Sequence, residues 1–191
     1  MRYHNITHAD MLNGEGLRVV LWVSGCSHHC KGCQNPITWN PDDGLIFDEE
    51  AKLEIYSDLD KDWCSGITLS GGDPLYVGNR EEITKLVSDI KKKYPEKSIW
   101  SYTGYTWEEL LEERKKDKNL EIILNNIDVL LDGKFMMKLA LEKLHYVGSS
   151  NQCIIDVRQS LKKNKKVLYI DNSKIVEEEN EKKRIRNSKR I

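Results

Sequence analysis

The 191 residues hold no apolar run near the roughly 20 residues that a membrane-spanning helix needs, so no span is expected. An excess of one charge is also missing: 30 Lys and Arg stand against 31 Asp and Glu, a formal net charge of -1. No global positive field therefore draws the chain to nucleic acid. Residues 1–12 mix His4, His8 and Asp10 with apolar residues and lack the basic start and apolar centre of a secretory signal. The expected address is the cytoplasm. Missing too is the even, spaced set of cysteines that marks a disulfide scaffold: of five, Cys26, Cys30 and Cys33 crowd together while Cys64 and Cys153 stand apart. In a reducing compartment such a cluster points to a metal or catalytic site. Cys64 and Cys153, without ligand spacing, read as small buried hydrophobes.

What is present, 39% apolar residues over a length typical of one domain, fits a soluble globular fold. Residues 1–170 read as that domain. In residues 171–191 an acidic block precedes a basic one, the pattern of a solvated, poorly ordered tail that stays off the core.

The strongest strand signal is LRVVLWV, residues 17–23, an apolar run suited to burial on both faces. Residues 48–60 read as a helix capped by Asp48, and GITLSGG at 66–72 as a strand ending in a glycine turn. Asn79 with Glu82 reads as a helix start, and Ile83, Leu86, Val87, Ile90 and Tyr94 give that helix one apolar face. A strand at 98–102, a capping box at Thr106 and Glu109, and a strand at 127–131 follow. A further helix is expected at 135–144, and last strands at 153–157 or 167–170. Alternating strands and helices predict an α/β fold with a parallel sheet, whose ligands gather at the carboxyl ends of the strands. The length suits a partial (β/α) barrel of about six units, open on one side, rather than the eight-unit closed form of about 250 residues. The cysteine loop, SGGDP, YTGY and LDGK all fall at those strand ends.

Three thiolates within the loop Cys26-x3-Cys30-x2-Cys33 would leave one iron of a four-iron cube without a protein ligand. An open iron can take an external chelate, which makes a reactive site rather than an electron carrier. The alternative is a zinc-stabilised binding module with His28 or His29 as fourth ligand, although closed Cys3His sites draw on two separated pairs. Otherwise both histidines read as solvated loop residues.

The triplet after a strand resembles the radical S-adenosylmethionine superfamily. GCSHHCKGCQNP at 25–36 with Thr38 and Trp39 is similar to the activating enzymes of glycyl-radical proteins. NGEGLR at 13–18, LSGGDPL at 69–75, YTGY at 102–105, residues 128–135 and GSSNQ at 148–152 resemble the branch of that family serving anaerobic ribonucleoside-triphosphate reductase. The resemblance spans about residues 1–160 and excludes the tail. It implies an oxidoreductase with one 4Fe-4S cluster on Cys26, Cys30 and Cys33, and S-adenosylmethionine on the open iron. It further implies cofactor contacts from Gly32, Cys33, Gln34, Ser70, Gly71, Gly72, Asp73, Thr103, Asp132 and Lys134. Cleavage of S-adenosylmethionine would give a 5'-deoxyadenosyl radical, which makes a glycyl radical on the reductase. The implied partners are that reductase and a low-potential donor such as flavodoxin, with no nucleic acid and no membrane. An activase of another glycyl-radical enzyme, of formate-lyase type, is the nearest rival. Asp73 stands where Glu is frequent, and Gly32 and Gln34 stand where aromatic residues often flank the last cysteine.

Overall fold

Period-two alternation along the central strands sends one set of side chains to helices and the other to a concave inner face, and both sets are buried. A computed structural model describes residues 1–188. The strands are β1 (Arg2–Asp10), β2 (Leu17–Val23), β3 (Leu45–Ile46), β4 (Cys64–Gly71), β5 (Ser98–Tyr102), β6 (Val129–Asp132), β7 (Cys153–Asp156) and β8 (Leu168–Ile170). The helices are α1 (Glu49–Leu59), α2 (Arg80–Lys93), α3 (Trp107–Glu113), α4 (Lys118–Asn126), α5 (Val157–Lys163) and α6 (Ser173–Ser188). The strands form one sheet in the order β3-β1-β2-β4-β5-β6-β7-β8. β2, β4, β5 and β6 are parallel neighbours, and β1, β3, β7 and β8 add antiparallel edges.

The fold is α/β as expected, but the six-unit barrel is corrected to an open, mixed eight-stranded sheet. The departure begins after β6. No helix forms at 135–144, where a short 3₁₀ turn, Met137–Leu139, sits among exposed residues. Met136, Met137 and Leu139 are exposed, while Leu141 and Leu144 pack on the inner-face cluster, so the segment covers that face instead of forming a crossover helix. A parallel return needs such a crossover, so β7 runs back antiparallel to β6. The expected segments at 153–157 and 167–170 both supply strands, and β8 pairs antiparallel with β7.

Local signals set several boundaries. Asp48 caps α1 by accepting from the Ala51 N–H, and Thr106 with Glu109 makes the full capping box of α3. Asn79 precedes α2 without capping it; its amide instead donates to the Ser24 and Asp73 carbonyls at 2.8 and 3.1 Å. β1, β3, α4 and α5 had no forecast. β1 is a polar strand with register irregularities, held by pairing to β2, and α4 is opened by the Asp117 cap.

Val19, Leu21, Ile67, Leu69, Ile99 and Leu130 pack against Ile55, Leu86, Ile90, Ile123 and other helix residues in the main core. Trp100, Val129, Leu131, Leu144, Val147 and Ile154 form a second cluster on the inner face. At the strands' amino ends Arg18 is fully buried. It donates to Thr68 Oγ1, Ser98 Oγ and the carbonyls of Glu15, Ile67 and Ser98, with its guanidinium 5.2 Å from the Trp100 ring centre. Burial lowers its pKa to about 10, which still leaves it charged at neutral pH. The charged segment expected to stay off the core forms α6, and Ile175 and Val176 rest on the second cluster. Residues 189–191 of that segment lie outside the described residues. No described helix is long and apolar enough to cross a membrane.

β1 is tied to α1 by His8, whose ring nitrogens lie 2.6 Å from Asp58 and 3.0 Å from Glu54. The hydrogen bond to Asp58 leads the causes that raise the His8 pKa above 6.5. A base with a raised folded pKa stabilises fully below its unfolded pKa and loses that contribution as pH rises through the folded value. His8→Ala should therefore destabilise most below pH 6.5 and progressively less above it, in urea unfolding across a pH series.

Candidate functional site

The carboxyl ends of the four parallel strands frame a cavity of about 690 Å³. One wall is the loop after β2, laced to its neighbours by backbone. Gly25 and Cys26 donate to the carbonyls of Thr38 and Trp39 at 2.8 and 3.0 Å, and Asp73 donates to the Gly25 carbonyl at 2.8 Å. The turn after β4 forms the floor of this lacing. Gly72 donates to the Val23 carbonyl at 2.7 Å, and a Cβ on Gly72 would stand 2.5 Å from the Gly25 oxygen and 2.8 Å from that of Thr38. Gly71, at φ +101°, would press a Cβ into the Val23 backbone at 2.6 Å. The two glycines are there because backbone passes on both sides.

Cys26, Cys30, Cys33, Gln34, Ser70, Gly71, Gly72, Thr103 and Lys134 all line this one cavity. Burial pushes the Cys26 thiol up to about 11, against the opposing pull of backbone hydrogen bonds from His28 and His29. The Asn35 N–H lies 3.4 Å from Cys33 Sγ. Donors aimed at sulfur favour thiolate and are a lever on iron–sulfur potential. Among the described residues no three His, Cys, Asp or Glu side chains gather around a single-ion position. Three thiols lining one cavity, each able to take its own iron, are donors of the kind that hold a polynuclear cluster. The donor set thus fits a 4Fe-4S cluster.

Three expected site residues are placed otherwise. Gly32, at φ +78°, sits outside the lining, under the Met137 methyl. Asp73 is 1% exposed, and its Oδ2 accepts from His28 Nε2 at 2.9 Å, Thr103 Oγ1 at 3.1 Å and Gly104 N at 3.0 Å. Its Oδ1 takes the Leu75 N–H at 2.8 Å. Asp132 accepts from the Trp107 N–H at 2.8 Å, opening α3, and from the Cys153 N–H at 3.0 Å. Both carboxylates hold the loops that line the cavity. His28, expected in solvent, has a side chain only 6% exposed.

Sequence reasoning passed over the aromatic walls: Trp22, Tyr102, Phe135 and Tyr146 also line the cavity. Alternation would have found two of them, since Trp22 and Tyr102 close β2 and β5 on the inner-face register of Arg18 and Trp100. Gln152 of GSSNQ is a wall residue as well, accepting from the Gly148 and Ser149 N–H groups and donating to the Gly133 carbonyl at 2.9 Å.

The class of protein that this fold and donor set define is an iron–sulfur one, and the chain matches the 4Fe-4S single cluster domain family over residues 12–155. It is 47% identical over 152 residues to the anaerobic ribonucleoside-triphosphate reductase-activating protein of Enterobacteria phage T4, covering 80% of this chain and 92% of that one. It is 43% identical over 157 residues to the protein of that name from Haemophilus influenzae, covering 81% and 97%. With that of Escherichia coli the identity is 40% over 160 residues, 83% of this chain and 100% of the relative. At this identity and coverage the chain belongs to the family of anaerobic ribonucleoside-triphosphate reductase-activating proteins.

Asp132→Ala would leave the buried N–H of Trp107 and the N–H of Cys153 without acceptors. At roughly 1–3 kcal/mol for each unmet group, a loss of about 2–5 kcal/mol is expected in urea unfolding of the metal-free protein.

Proposed function

We propose that this chain is the iron–sulfur activase of an anaerobic ribonucleoside-triphosphate reductase, acting through S-adenosylmethionine. The observation that carries the reading is the set of three thiols, Cys26, Cys30 and Cys33, on one wall of a cavity whose facing turn is Gly71-Gly72. Each thiolate would hold one iron and leave the fourth to the amino and carboxylate groups of S-adenosylmethionine. Bound there, the reduced cluster and that cofactor supply a 5'-deoxyadenosyl radical able to take a hydrogen atom from a glycine of the reductase.

The chain's own residues prepare the place. Gly71 and Gly72 bring bare backbone to the cavity, where a methionine ammonium and carboxylate would lie, with the Ser70 hydroxyl beside them. Cys33 and Gln34 would border the adenosine, with the Gly32 turn holding them from behind. Thr103 closes the side next to β5, and Asp73 and Asp132 act by fixing the turns. The aromatic walls exclude water from a site that handles a radical. Lys134 is exposed at the cavity, on the side where a segment of the reductase would enter. The electron would come from a low-potential one-electron donor of the flavodoxin class, in a reducing cytoplasm.

Anaerobic reconstitution with iron and sulfide, followed by reduction, tests the assignment in the wild type and in Cys30→Ala. The wild type should form 5'-deoxyadenosine and leave a glycyl-radical signal on added reductase in electron paramagnetic resonance. Cys30→Ala should lose both by about 100-fold or more, as removal of an essential ligand does. Cleavage without a glycyl radical would assign another radical partner, and a wild type with neither iron nor cleavage would overturn the reading.

A further inference from the structure

His28 lies between the first two cysteines, in a loop whose neighbours Ser27 and His29 are exposed, yet its own side chain is 6% exposed. It fills a socket made by two other loops. Its Nε2 donates to Asp73 Oδ2 at 2.9 Å, and its ring stands edge-on to Tyr105 with centroids 4.6 Å apart. The third side of the socket is Gly104, where a Cβ would collide with the His28 ring. The socket is itself braced. Asp73 Oδ2 is fixed by Thr103 and Gly104, and the Arg80 guanidinium lies 5.7 Å from the Tyr105 ring centre, held by Glu113 and Asp117 at 2.7 Å each. The backbone N–H groups of His28 and His29 lie toward the Cys26 sulfur, where they oppose the rise of its thiol pKa.

From this geometry we propose that His28 is a positioning residue: its side chain, pegged on Asp73, fixes the 26–30 segment and with it the backbone N–H that His28 turns toward the Cys26 sulfur. The peg acts in the metal-free protein, which has the loop seated before iron arrives. In the loaded protein it tunes the cluster through the placement of that N–H near sulfur, and this part rests on the reading of Cys26 as an iron ligand. A buried, charge-assisted hydrogen bond in a socket built by the turns after two neighbouring strands suits that task better than a loop held at its stem alone.

Two readouts test it in the full chain, using His28→Ala, His28→Gln and Gly104→Ala. The first is hydrogen exchange of amides 26–34 in the metal-free protein. The second is the midpoint potential of the reconstituted cluster. His28→Ala should speed exchange in 26–34 by about tenfold or more while β2 and β4 stay protected, and should shift the potential in the negative direction, because a donor to sulfur is freed. His28→Gln keeps a nitrogen donor within reach of Asp73 and should recover both properties in large part. Gly104→Ala leaves every polar group in place but fills the ring's seat, so it should reproduce His28→Ala even if that variant folds poorly. Unchanged exchange in both His28→Ala and Gly104→Ala would overturn the peg, and so would His28→Gln behaving as His28→Ala in both readouts. A wild type that takes up no iron would count against the cysteine assignment alone, since the exchange measurement still decides the peg.

Discussion

A single carboxylate, that of Asp73, joins the loops on which the site depends. It is the side chain of the turn after β4, yet its acceptor sites are used by the cysteine loop through His28 and by the turn after β5 through Thr103 and Gly104. A buried carboxylate is tolerated only where hydrogen bonds replace its hydration, and four donors do so here, two from backbone and two from side chains. The same demand that stabilises the charge therefore dictates where three strand ends must meet. The short Asp side chain keeps the carboxylate close to its own turn, directed into the loops rather than into the cavity.

Arg18 plays the corresponding part at the other end of the sheet. Its guanidinium has no carboxylate partner among its hydrogen bonds and is satisfied by two hydroxyls and three carbonyls drawn from β4, β5 and the turn before β2. It fills the narrow end of the inner face over Trp100, against which Tyr146 and Tyr169 stand edge-on. Tyr169 on β8 then reaches Glu15, in the turn between β1 and β2, with a 2.6 Å hydrogen bond. An open sheet is thus closed at its base by side chains rather than by further strands, leaving the cavity at the carboxyl ends as its wide mouth.

The parts of the fold legible in the sequence were those with a local cause. A continuous apolar run gave β2, the short GITLSGG segment with its glycine turn gave β4, the Thr106 and Glu109 pair gave the start of α3, and 3.6-residue spacing gave α2. β1 escaped because its residues are half polar and its strand state comes from pairing with β2, from Asp10 with Arg18 to Tyr3 with Val23. The helix expected at 135–144 failed for the opposite reason: local propensity was present, but Leu141 and Leu144 are drawn onto the inner-face cluster while Met136, Met137 and Leu139 stay exposed. Asn79 shows a local signal redirected: buried at the start of α2, it donates its amide to the Ser24 and Asp73 carbonyls instead of capping the helix.

For the site, sequence alone determined which atoms are present and roughly where along the strands they fall: three thiols in one loop, paired glycines after one strand, and Thr103 and Lys134 after two others. That much follows from spacing and from the rule that parallel sheets gather ligands at one edge. Only the tertiary structure decided which polar residues face the cavity and which face one another. Asp73 and Asp132 look like ligand groups in a sequence because carboxylates usually seek solvent or substrate. Here both are buried where unpaired backbone N–H groups of neighbouring strand ends need acceptors, and that need arises only when segments distant in sequence are brought side by side.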